Sequence, residues 1–241
     1  MLARALQRLE EAVVAVTDQG IHTLEFGPRL SGELAAFDPE NLAALREALA
    51  SMDVRVSAVT CPPDGHVPDV VSRMAQLCAA LGATKVILPP LERQWGEAET
   101  TVLGLIVELQ QQGIELLCEN RPGTLVDSKA SCEMFLSRLP GLRLAFNPAH
   151  FAHMGENPFL RVYYKGRLKK HVVQLYVTDG CRPGAEAFTL PGQGQAEVKE
   201  LMSILRCRGF DGVFCLKLSG EGGKQAFIRQ CKAFWHLLET M

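Results

Sequence analysis

The strongest constraint on this chain is a repeated unit: a stretch patterned as a helix, a glycine, then a short and almost wholly apolar strand. Leu2, Leu6, Leu9, Val13 and Val16 recur at helical spacing before Gly20, and HTLEF (22–26) follows. A helix opened by Asp38-Pro39 runs to about Met52 before VRVSAVT, and one from Val67 to Leu81 stops at Gly82 before KVILP. Helix Ala98 to Gln112 and Gly113 precede IELLCEN, and helix Ser128 to Arg138 precedes LRLAFN. A helix near Pro158 to Leu168 leads to HVVQLYV, and helix Ala196 to Arg208 to GVFCLKL, with a last helix ending at Met241. Strands this apolar, always separated by helices, predict a parallel sheet covered by helices. No linker or composition shift divides the chain, so residues 1–241 are expected to form one domain.

Two architectures satisfy that pattern, an open doubly wound sheet and a closed barrel. An open dinucleotide-binding sheet needs a Gly-rich turn after its first strand. The turn here, GPRLSGELAAFDP, has neither G-x-G-x-x-G nor a P-loop lysine. Polar groups cluster instead directly after several strands: Glu25, Glu119-Asn120-Arg121, Asn147 to His150, Thr178-Asp179 and Lys217. Strand carboxyl ends are where a TIM (β/α)8-type barrel places its site, and 241 residues suit that fold. The pattern contains about eight helices and about seven strands, because the chain starts in the helix that should follow strand one. The expectation is thus an α/β barrel lacking its first strand, or one trimmed at its start. A gap between HTLEF and GVFCLKL would leave two unpaired edges, so a further segment or a homodimer is expected to cover it.

Charge and cysteine usage narrow the function class. Lys plus Arg total 25 against 27 Asp plus Glu, net −2, which argues against a nucleic-acid binder held by phosphate contacts. No apolar run reaches the ~20 residues of a membrane span, and Arg4, Arg8, Glu10 and Glu11 interrupt the first helix as they would not a signal peptide. The eight cysteines are scattered without a C-x-x-C pair, several inside apolar runs, so a reducing cytoplasm is the expected compartment.

Four segments carry candidate chemistry: CENRPGTLVD (118–127), FNPAHFAHMGENP (146–158), VVQLYVTDG (172–180) and RGFDGVFCLKL (208–218). In this order and spacing they resemble the xylose isomerase-like barrel family of sugar isomerases and epimerases, which also includes endonuclease IV. That resemblance spans the chain from Leu2 and is strongest from Glu119 to Lys217. Family strand ends read approximately E-N-[HR]-P-G, D-P-G-H, H-x-H-x-K-D and Y-D-G-x-x-x-x-E, with a divalent metal on the first Glu, the Asp, the first His and the last Glu. The implied chemistry is isomerisation or epimerisation by proton abstraction next to a carbonyl.

This chain departs from the pattern where the metal would bind. Glu119 matches the first ligand, but Asn147 stands for the Asp, Gln174 for the His and Lys217 for the last Glu, while Tyr176 replaces the second His of its strand. One carboxylate, two amides and an ammonium suit neither Mg²⁺ nor Mn²⁺. The expectation is that no cofactor is held, that any bound Mn²⁺ or Mg²⁺ would sit near Glu119, and that Lys217 fills the metal's place, paired with Glu119. Glu119 and Lys217 are the candidate catalytic residues, Lys217 as an electrophile or a Schiff-base nucleophile.

Candidate ligand contacts are Glu25, Arg121, Asn147, His150, Gln174 and Tyr176. Glu25 equally suits a structural salt bridge, and Arg121 equally suits neutralising Glu25 or Glu119. Asp179 caps the following loop or meets a ligand, Trp95 stacks on a sugar or packs under a loop, His153 belongs to the rim or surface, and His171 to solvent. The functional readings are a sugar isomerase- or epimerase-like protein for a small sugar or keto acid, and a pseudoenzyme barrel binding a sugar-like ligand or a protein partner. An apurinic-site endonuclease needs more His and carboxylate ligands, and a more basic face, than this chain has.

Overall fold

A computed structural model describes residues 2–91, 95–180, 189–217 and 223–241. The Trp95 side chain and Cys181 lie outside what is described, as does most of the Gly/Pro-rich loop between Gly180 and Gly194. The chain divides into two compact units, Met1–Pro89 with Gly104–Leu116, and Pro90–Leu103 with Leu117–Met241.

The first unit contains α1 (Leu2–Thr17), β1 (Thr23–Phe26), α2 (Pro28–Leu34), α3 (Pro39–Ser51), β2 (Arg55–Thr60), α4 (Val67–Leu81) and β3 (Lys85–Ile87). Each boundary has a local cause. Asp38 caps α3 by accepting the Asn41 N–H at 2.8 Å, and Pro39 supplies a helical φ in the first turn. Gly82 ends α4 in the left-handed region at φ 72°, where a side chain would be strained. β1 pairs in parallel with β2, from Thr23 opposite Arg55, with an irregularity between Leu24 and Glu25. β2 pairs with β3 at Val59 and Val86. Phe26, Ala58, Val59, Val86, Val71 and Cys78 are buried, packing strand faces against helix faces. Helix α2 lies where the sequence suggests only a turn, because Pro28 starts one short helix directly after Gly27.

α5 (Trp95–Gln111) is followed by Gly113 at φ 71° and β4 (Glu115–Glu119), whose first N–H donates to the Thr84 carbonyl at 2.9 Å. The second unit continues with α6 (Lys129–Arg138), β5 (Arg143–Phe146), α7 (Pro148–His153), a π-helical segment (Pro158–Tyr164), a 3₁₀ turn (Leu168–Lys170) and β6 (Val172–Tyr176). It closes with α8 (Val198–Cys207), β7 (Val213–Cys215) and α9 (Gly223–Glu239). The single α-helix expected near Pro158 to Leu168 is instead a π-helical segment and a 3₁₀ turn. α7, six residues long, is too short to show a period in the sequence.

Strands β4 to β7 pair in parallel with Glu119 opposite Ala145, Ala145 opposite Gln174, and Tyr176 opposite Cys215. Their carboxyl ends are therefore in register, and the polar residues that follow them emerge at one end of this unit. Among the described residues the sheet has seven strands in chain order, with every described pairing parallel. Strands alternating with helices in this order form the α/β TIM-type fold that the sequence predicts.

After β6, buried Asp179 accepts four backbone N–H groups, from Gly180 and Ala196 at 2.9 Å on Oδ1 and from Gly192 and Gly194 at 2.9 and 3.0 Å on Oδ2. Both carboxylate oxygens are thus spent on the loop, which makes Asp179 the loop's anchor.

Candidate functional site

The site is built on β4. Glu119 is the last residue of that strand, and Cys118, Leu117 and Leu116 before it are buried, so the strand delivers a carboxylate out of an apolar layer. Its side chain is only 2% exposed. An ionised carboxylate at that depth is stable only if charges and donors meet it.

Five groups do so. Lys217 Nζ donates to Oε1 at 2.7 Å and to Oε2 at 2.8 Å. Arg121 donates to Oε2 through Nε at 2.8 Å and Nη2 at 2.6 Å, a two-pronged contact made possible by the turn that begins after β4. Asn147 Nδ2 donates to Oε1 at 2.9 Å, and His150 Nε2 stands 3.5 Å from the same oxygen. Burial alone would push the Glu119 carboxyl up. The His150 contact, the Lys217 and Arg121 charges and the Asn147 hydrogen bond outweigh it, and hold the group well below the ordinary carboxylate range.

Tyr176 forms the floor under Lys217. Its ring is fully buried at the end of β6, and Lys217 Nζ lies 4.2 Å from the ring centroid. The ammonium is therefore held by a carboxylate and by a π face together. Gln174, also fully buried, lies two residues earlier on the same face of β6.

Asn120 has a role the sequence reading does not assign. It is fully buried, donates Nδ2 to the Asn147 carbonyl at 2.8 Å, and accepts the Asn147 N–H at Oδ1 at 2.7 Å. This reciprocal pair fixes the backbone of Asn147 just before α7, and so aims Asn147 and His150 at Glu119. The available signal was adjacency to Glu119 in the E-N-R-P-G run.

The structure therefore brings together Glu119, Arg121, Asn147, His150, Tyr176 and Lys217. Glu25 belongs to the first unit, where it accepts the Thr60 hydroxyl at 2.8 Å. Arg121 pairs with Glu119, one of the two carboxylates the sequence offers it. His153 is exposed, as expected. His171 is half-buried rather than solvated, and burial with the nearby Lys170 charge lowers its pKa.

The donor set does not fit a divalent cation. Both Glu119 oxygens already receive cationic donors, and an ammonium 2.7 Å from Oε1 would repel a metal bound there. Among the described residues no three His, Cys, Asp or Glu side chains are grouped to hold an ion. What the arrangement can do is present two cations and an imidazole around one buried, fully ionised carboxylate. Glu119 cannot serve as a general acid near neutral pH and is a weak base. Proton transfer would fall to His150, and charge stabilisation to Lys217 and Arg121.

A family model described as xylose isomerase-like TIM barrel matches residues 13–233. No curated protein matches the chain in sequence. Among solved structures, the probable 3-DHS dehydratase AsbF of Bacillus anthracis is 14% identical with a TM-score of 0.75, over 94% of this chain and 93% of that one. A xylose isomerase-like TIM barrel protein from Mycobacterium smegmatis in complex with magnesium is 14% identical, TM-score 0.76, over 95% and 88%. A sugar phosphate isomerase/epimerase from Parabacteroides distasonis is 12% identical, TM-score 0.67, over 98% and 90%. At these identities the likeness carries the fold alone.

Proposed function

The chain belongs to the xylose isomerase-like TIM barrel family, and on that premise we propose that it is a sugar isomerase- or epimerase-like protein whose centre is an ammonium–carboxylate pair instead of a divalent metal. The ligand is a small sugar-like compound or keto acid, bound beyond the ends of β4 to β7. The observation that carries this reading is the Lys217 ammonium bridging both oxygens of Glu119 at 2.7 and 2.8 Å. In proton transfer next to a carbonyl, negative charge builds on the carbonyl oxygen, and a fixed ammonium and guanidinium stabilise that charge as an electrophilic metal would. In this reading His150 takes the proton. Two-base epimerisation is not available, since Glu119 is committed to its cations. A Lys217 ammonium so paired is a poor amine nucleophile, which disfavours Schiff-base chemistry.

The second reading is a binding barrel without turnover, favoured by the same saturation of Glu119. One experiment separates them. After exhaustive treatment with chelator, the protein is incubated with keto sugars and keto acids in D₂O, and exchange at the carbon next to the carbonyl is read by NMR. Exchange that survives chelation and is lost in Lys217→Met supports metal-independent catalysis. Binding without exchange supports the pseudoenzyme. Exchange only after Mn²⁺ is added contradicts the proposal.

A further inference from the structure

The charges of the site are unequal in number and in depth. Glu119 is 2% exposed, while the Lys217 and Arg121 side chains are 33% and 32% exposed. The carboxylate therefore lies behind the two cations, and a group arriving from solvent meets positive charge first. Among the described residues, one carboxylate (Glu119) against one ammonium and one guanidinium leaves a single positive charge over.

Donor counting points the same way. An ammonium has three N–H groups and a guanidinium five. Lys217 aims at the two Glu119 oxygens, and Arg121 uses Nε and Nη2 on one of them. Lys217 is thus met by Glu119 and the Tyr176 ring, while Arg121 keeps N–H groups without a protein acceptor among the described residues. A neutral polyol would satisfy the hydrogen bonds but leave the charge over. A phosphate carries about −1.5 to −2 near neutral pH and exceeds it. A carboxylate satisfies both.

We infer that Lys217 and Arg121 form a monoanion site, and that the ligand of this barrel is a hydroxy or keto monocarboxylic acid, not a neutral sugar or a sugar phosphate. This rests on the binding reading above and sharpens it to one ligand class. Glu119 acts here as a positioning residue, fixing the spacing of the two cations so that both address one carboxylate.

The test is an NMR titration of the full chain at constant ionic strength, following the Arg121 Nε–H and His150 ring resonances. The probes are two matched pairs, glycerate with glycerol and gluconate with sorbitol, plus glycerol 3-phosphate. At least one acid should bind saturably, about tenfold or more tighter than its alcohol and tighter than the phosphate. Arg121→Gln should weaken that acid by about tenfold, while Arg121→Lys, which keeps the charge, retains most of the affinity. An alcohol binding as tightly as its acid overturns the inference and leaves the sugar-like reading standing. Tighter binding of glycerol 3-phosphate overturns the monoanion assignment. Saturable binding of no probe overturns both readings.

Discussion

Lys217 Nζ sits 2.7 and 2.8 Å from the two oxygens of Glu119, across 98 residues of chain. β4 ends at Glu119 in the same unit in which β7 leads to Lys217. The pair therefore ties the two outer strands of a four-strand run, over the buried Tyr176 ring between them.

Lys217→Met should destabilise the fold. It leaves a deeply buried carboxylate with Arg121 as its one remaining strong cation, and removing one partner of a buried pair is costly. Because Lys217 is partly exposed and Arg121 stays, the expected loss is about 1–3 kcal/mol, read from the denaturant midpoint. Glu119→Gln combined with Lys217→Met should cost less than the sum of the two single changes, since each single change strands the other group.

Stability should fall on acidification through Glu119. Its folded pKa lies below the unfolded value, near 4.5, so its contribution is full above that value. The contribution is lost as pH drops from there toward the depressed folded pKa. Unfolding free energies measured from neutral pH downward should therefore decline below about pH 5, and the decline should be shallower in Glu119→Gln. Equal slopes in the two proteins would contradict the depressed pKa.

Asn120→Ala removes two buried hydrogen bonds to the Asn147 backbone and leaves both backbone groups unsatisfied. A loss of about 2–4 kcal/mol is expected. Asn120→Asp keeps the acceptor for the Asn147 N–H but turns a buried carboxylate oxygen on the Asn147 carbonyl, and should cost at least as much. Hydrogen exchange at the Asn147 amide reports the effect directly.

Much of this was legible in the residues. Apolar strands such as LLC before Glu119, and stops such as Gly82 and Gly113, marked the alternation well enough to predict the fold. Glu119, Asn147, His150 and Lys217 stood out because strand ends are where such a fold gathers its polar groups, and Tyr176 through the resemblance, where it replaces the second His of its strand. α2 and α7 were not legible, since seven and six residues give no helical period. Asn120 was missed for a different reason: its partner is a backbone segment 27 residues away, and no residue type announces a backbone partner. Arg121 remained ambiguous until its guanidinium could be seen on Glu119, because Glu25 was an equal partner on paper.

The claim that a lysine ammonium takes the part of a divalent cation is tested most directly by metal binding. The chain, purified without chelator, would be assayed for metal content and then titrated with Mn²⁺ by calorimetry, alongside Glu119→Gln. The account predicts far less than one equivalent of bound metal and no saturable Mn²⁺ heat in either protein. One equivalent of tightly bound Mn²⁺, Mg²⁺ or Zn²⁺ that is lost in Glu119→Gln would contradict it.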